Sequence, residues 1–121
     1  MDAGCPARAR RGALGEALAA AYLELRGYSL LGRNLRVGHK EIDLLARRGD
    51  CLVFVEVKLR ASDRFGSAAE GLGPDKRRRL REALRAECIR RGWRGEVRLD
   101  LVALDLAPGQ DRLVLEHYRG L

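Results

Sequence analysis

The ten residues CLVFVEVKLR, 51 to 60, constrain this chain more than any other stretch. Leu52, Val53, Phe54, Val55, Val57 and Leu59 are β-branched, aromatic or aliphatic, the composition of a buried strand. Glu56 and Lys58 interrupt it. A charge in such a strand is costly unless it is paired or holds a metal. The end of this strand is therefore the first place to look for chemistry.

The neighbouring segments decide what the strand can pair with. GALGEALAAAYLELRG, 12 to 27, repeats Leu14, Leu18, Ala21 and Leu25 at helical spacing and stops at Gly27. YSLLGRNLRV reads as a strand, and KEIDLLARRGD as a second one closing on an Arg-Gly-Asp turn, so that residues 41 to 59 form a hairpin. ASDRFGSAAEGLG is a loop with three glycines. PDKRRRLREALRAECIRRG is the clearest helix, with Pro74 and Asp75 at its start and Gly92 at its end. EVRLDLVALDL, the turn APGQD and RLVLEHYRG add two more strands. The order α-β-β-β-α-β-β gives an α/β fold, a central mixed β-sheet flanked by helices. No G-x-G-x-x-G or P-loop argues for a doubly wound nucleotide fold.

At 121 residues the chain is long enough for one domain with a real core. The expectation is a mobile basic arm over 1–11, carrying Arg8, Arg10 and Arg11, and a single domain over 12–121. No apolar run reaches membrane-spanning length, and Arg and Glu break up the N-terminus before any signal-peptide core; a cytoplasmic protein is expected. Cys5, Cys51 and Cys88 are widely spaced and His39 and His117 far apart, so reduced thiols are expected rather than a zinc site. The net charge of +7 favours a polyanionic partner, nucleic acid first. Of 24 basic residues only Lys40, Lys58 and Lys76 are lysines. Where arginine is the habitual cation, a lysine inside a strand points to a need for a compact, titratable ammonium.

Side chains alternate along a strand, so Glu56 and Lys58 share a face about 7 Å apart. In the hairpin, Glu41 and Asp43 alternate with Ile42 and Leu44, and Asp43 falls near the open end beside Glu56 and Lys58. Two adjacent carboxylates repel, and a divalent cation such as Mg²⁺ removes the repulsion. A nearby ammonium can then orient or help deprotonate a water on the metal, a set that suits phosphodiester hydrolysis. The competing reading is an internal salt bridge from Lys58 to Glu56 or Asp43 that fastens the hairpin. Glu41 rivals Asp43 as a ligand, and Asp100, between Leu99 and Leu101, reads as a structural partner for an arginine.

The series EID at 41–43 and FVEVK at 54–58 resembles the D…E-x-K core of the PD-(D/E)xK, or restriction-endonuclease-like, nuclease superfamily. The match is closer to the YraN-like family of predicted endonucleases. Its motifs here are Gly15-Glu16, Gly27-Tyr28, Arg33-Asn34, Glu41 to Leu44, Phe54 to Lys58 with Arg60, Phe65-Gly66, Lys76 and Arg98-Leu99-Asp100. Two positions depart from the pattern: Ile42 replaces a proline before Asp43, and Lys40 stands where the family often has glycine. The resemblance implies a restriction-endonuclease-like fold, kin to archaeal Holliday-junction resolvases, and a DNA endonuclease acting on branched or structured DNA. It implies Mg²⁺, with Mn²⁺ as a substitute, on Asp43 and Glu56. Lys58 would position the water or stabilise the transition state, and Glu16 would add a ligand or an outer contact. The likeness to resolvases, which cut two strands, also raises a homodimer.

The second helix supplies the expected DNA surface. Between Asp75 and Arg94 nine basic residues face three acids. Lys76, Arg77, Arg78, Arg81 and Arg85, with Arg60 on the strand, are the expected phosphate contacts. Two further readings stay open: a DNA-binding module of the same fold that does not cut, and an interaction protein in which the Glu–Lys pair is structural.

Overall fold

The structure, a computed structural model, describes residues 7–60, 73–107 and 111–121. Helix α1 spans Ala7–Leu25 and is followed by strands β1 (Ser29–Val37), β2 (Lys40–Arg48) and β3 (Cys51–Arg60). Helix α2 (Pro74–Arg91), β4 (Glu96–Ala107) and β5 (Arg112–Tyr118) complete the chain. The expected order α-β-β-β-α-β-β is the observed one. The backbone is already helical at Ala7, inside the segment expected to be a mobile arm. Residues 1–6 of that arm with Cys5, the glycine-rich loop with Phe65 and Gly66, and residues 108–110 of the APGQD turn lie outside the described residues.

One five-stranded sheet runs in the order β1-β2-β3-β4-β5. Neighbours pair antiparallel except β3 and β4, which run parallel from Cys51↔Glu96 to Arg60↔Asp105. A parallel pair needs a crossover, and α2 supplies it. Each face of the sheet therefore has its own helix and its own core. Ala19, Ala20 and Leu23 of α1 pack on Leu44, Ala46, Val53, Val55, Val102 and Leu104. Leu80, Leu84 and Cys88 of α2 pack on Ile42, Leu45, Leu52, Phe54, Leu99 and Leu101. Covering on both sides explains why 52 to 55 is apolar without interruption.

The packed face of α1 is not the series Leu14, Leu18, Ala21 and Leu25. Leu14 and Leu25 are exposed, and the buried positions are the small residues Gly15, Ala19 and Ala20 with Leu23. Small side chains let the helix axis approach the sheet. At Gly15 an added Cβ would lie 3.1 Å from Leu59 Cβ, tighter than ordinary contact.

Under α1 sits a buried polar network. Asp100 is fully buried and accepts from Arg98 Nε at 2.8 Å, His117 Nε2 at 2.7 Å and the Gly120 N–H at 3.1 Å. Tyr22 Oη lies 3.0 Å from His117 Nδ1, and Arg98 also donates to the Tyr28 hydroxyl. Burial pushes the Asp100 carboxyl upward, but His117, Arg98 and Gly120 outweigh it and hold the carboxyl below its usual range. The network ties α1, β4, β5 and the C-terminal residues together, the structural role expected for Asp100. Cys51 and Cys88 are free thiols.

Removing Asp100 leaves the Arg98 and His117 donors buried without an acceptor. We predict that Asp100→Ala lowers unfolding free energy by about 3 kcal/mol. A shift in the urea midpoint checks this, and a variant within about 0.5 kcal/mol of wild type would refute the assigned role.

Candidate active site

The β2–β3 ladder runs from Arg48↔Cys51 at the turn to Leu44↔Val55. One step further the Val57 N–H donates to Asp43 Oδ2 at 2.7 Å, so a side-chain carboxylate stands where a strand carbonyl would. On its other side β2 pairs Leu44 with Arg33 and Ile42 with Leu35. Asn34, between these pairs, has a φ of 50°, in the left-handed region that Asn tolerates. Ile42 packs in the α2 core and Leu44 in the α1 core. Strict alternation would put both on one face. The strand turns over at Asp43, so the expected sharing of a face by Glu41 and Asp43 does not carry across it.

Glu56, 8% exposed, stands beside Asp43 on β3. Lys58 Nζ lies 4.0 Å from Glu56 Oε1. Lys76, on the first turn of α2, is half-buried against Glu56, Lys58 and Asp43. Glu16 arrives from α1, because Gly15 lets that helix settle on β3, and it feels the Asp43 charge while bonding the Asn34 side chain. His39, Lys40, Glu41, Glu56, Lys76 and Arg79 line a cleft of about 370 Å³ in front of the cluster.

The structure thus brings Glu16, Asp43, Glu56 and Lys58 together. The DNA-binding set is divided. Lys76 belongs to the cluster rather than to an outer face. Arg60 and Arg77 are half-buried, and Arg78 is 3.8 Å from Asp75 on the surface. Arg81 and Arg85 lie on the opposite flank of α2 from the cleft. Arg79, absent from the expected set, lines the cleft one turn from Lys76, and that i, i+3 spacing is the signal that would have found it.

The charges perturb one another. Burial, then the Asp43 charge and a hydrogen bond with Asp43, push Glu56 up to about 7 against the pull of Lys76 and Lys58. Glu16 is raised by burial first and by Asp43 second. Lys76 is lowered by burial and by Lys58, although Glu56 opposes this. A tight Glu56–Lys58 salt bridge would hold the carboxyl ionised; at 4.0 Å the ammonium does not prevail. Two crowded carboxylates are the hard oxygen donors that Mg²⁺ favours, and Mg²⁺ takes its remaining ligands from water and substrate phosphates. Among the described residues no three His, Cys, Asp or Glu groups form a ready cage for a metal. The donor set fits an ion held by two carboxylates.

The family model described as "Uncharacterised protein family UPF0102" matches residues 15–104. The chain belongs to the UPF0102 family. A UPF0102 protein of Syntrophus aciditrophicus is 45% identical over 107 residues, covering 88% of this chain and 84% of the relative. One of Rhodococcus jostii is 44% identical over 111 residues, covering 89% and 92%. One of Mycolicibacterium vanbaalenii is 42% identical over 102 residues, covering 84% of each. The segment matched by the UPF0102 model includes Glu16, Asp43, Glu56, Lys58 and Lys76, and excludes β5.

The raised Glu56 has a pH signature. The folded protein keeps a proton up to about 7 that the unfolded chain releases near 4.5. The stabilisation is full below the lower value and is lost as pH rises through the upper one, up to about 3 kcal/mol. We predict this decline in urea unfolding of wild type in EDTA. Glu56→Gln, neutral throughout, should flatten it, and an unchanged slope would refute the shift.

Proposed function

We propose that this protein is a metal-dependent endonuclease that hydrolyses DNA phosphodiester bonds, as its resemblance to the PD-(D/E)xK superfamily implies. The observation that carries the reading is the meeting of Asp43, Glu56 and Lys58 where β2 and β3 part, with Glu56 pushed up to about 7 instead of held ionised. Perturbed carboxylates at the mouth of a cleft mark functional sites more often than structural ion pairs.

The roles follow from the geometry. A divalent ion, Mg²⁺ or Mn²⁺, would neutralise the two carboxylates, polarise a phosphoryl oxygen and make an attacking water more acidic. Asp43 is held by the Val57 N–H, so its carboxylate is aimed before substrate arrives. Glu56 shares the remaining oxygens and is the residue whose proton must leave for both carboxylates to act as ligands. Lys58 presents Nζ on the same strand face, where it orients water or balances charge growing on the phosphoryl oxygens. Lys76 adds a second Nζ whose lowered pKa suits proton transfer at neutral to mildly basic pH. Glu16 and Asn34 brace the acidic side. Lys40 and Arg79 at the cleft supply phosphate contacts. A preference for branched or structured DNA rests on the resolvase likeness alone.

The test is cleavage of labelled four-way-junction, flap, duplex and single-stranded DNA with Mg²⁺, Mn²⁺ or EDTA. Wild type should cut only with metal. Asp43→Ala and Lys58→Ala should each lose on the order of 10²-fold or more in rate while still binding. Salt-sensitive binding without cutting under either metal would favour a non-catalytic DNA-binding module.

A further inference from the structure

Helix α2 packs against both β1 and β4 and leaves a groove on each flank. One is the cleft described above. The other, about 430 Å³, lies between α2 and β4. Its floor is apolar: Leu84 and Leu99 are 3% exposed and Cys88 8%, while Val97, 42% exposed, forms an open wall. Arg81 and Arg85 stand at its rim, both exposed and one helical turn apart. Like charges at that spacing repel. Among the described residues no carboxylate pairs with either, whereas Arg78, Arg90 and Arg91 on the same helix each have one.

Two unneutralised guanidinium groups above an apolar floor suit a ligand that carries an anion and a flat, poorly hydrated body together. A nucleotide has both. The volume lies within the range of small-ligand sites, ~300–1,000 Å³. An intact duplex keeps its bases stacked and paired, so the apolar part can receive a base only where a nucleotide is unpaired.

We propose that the groove between α2 and β4 seats an unpaired nucleotide of a nucleic-acid strand, with its phosphate on Arg81 and Arg85 and its base against Val97, Leu84 and Leu99. The floor offers burial rather than hydrogen bonds, so the seat accepts any base. This rests on the reading of the protein as acting on nucleic acid. It adds a binding site outside the cleft, with α2 as the ridge between the two.

The test uses the full chain in EDTA and two probes of roughly 12 nucleotides, within the range of single-strand site sizes. One is oligothymidylate, and the other an abasic deoxyribose-phosphate polymer of equal length. Affinity is read by fluorescence anisotropy across salt concentrations, and thermal melts establish that each variant folds. The Arg81→Ala/Arg85→Ala double variant should lower the salt slope by about 1.4, or about 0.7 per lost phosphate contact. Val97→Asn, at an exposed position the fold tolerates, should weaken oligothymidylate about fivefold while sparing the abasic polymer. Wild-type binding that neither variant alters would overturn the seat and leave the nucleic-acid reading standing. Equal weakening of both polymers by Val97→Asn would overturn the placement of the base. Free thymidine monophosphate that binds as tightly as the strand would replace the strand with a mononucleotide. Failure of wild type to bind either polymer would bring down both readings.

Discussion

The hydrogen bond from the Val57 N–H to Asp43 organises the functional half of this molecule. A strand N–H normally finds a carbonyl on its neighbour, and a buried one left without a partner is expensive. Here a side chain takes that place, so the backbones of β2 and β3 can separate without stranding a polar group. The separation lets Ile42 and Leu44 fill opposite cores. It also brings two carboxylates to the mouth of a cleft, where their mutual repulsion has no internal remedy strong enough to keep Glu56 ionised.

The two halves of the sheet treat buried charge differently. Asp100 is surrounded by donors, all of them satisfied inside the protein, and its carboxyl is held low. Glu56 is nearly as buried, yet the balance around it runs the other way. One group is a fastening, complete in itself. The other is incomplete, and incompleteness is what a site that must accept a ligand requires.

Much of this was legible in the sequence, because apolar runs, turn residues and helix stops speak in local code. The strand from Cys51, the hairpin, the helix from Pro74 and the order of elements follow from it. The meeting of Asp43, Glu56 and Lys58 followed from hairpin arithmetic. What was hidden depended on distant contacts. Alternation could not announce that β2 turns over at Asp43, since the cause lies in two cores on opposite faces. The packed face of α1 escaped because leucines suggested one stripe while Gly15, Ala19 and Ala20, small enough for close approach, made another. Lys76 looked like one more cation in a basic helix; only the crossover geometry turns it toward Glu56. Its identity as lysine in an arginine-rich chain was the available hint.

The parallel pairing of β3 with β4 has a consequence for how the cluster is assembled. The β2–β3 hairpin closes across a short turn, from Arg48 to Cys51. The β3–β4 ladder must bring Cys51 to Glu96, which requires the loop and α2 to be in place. Chain closure over a longer span is entropically dearer and slower. The acidic half of the cluster therefore belongs to the early, local part of folding. Lys76, riding on the crossover, joins when the long-range topology closes, so the lysine pair is complete only in a chain that has finished its sheet.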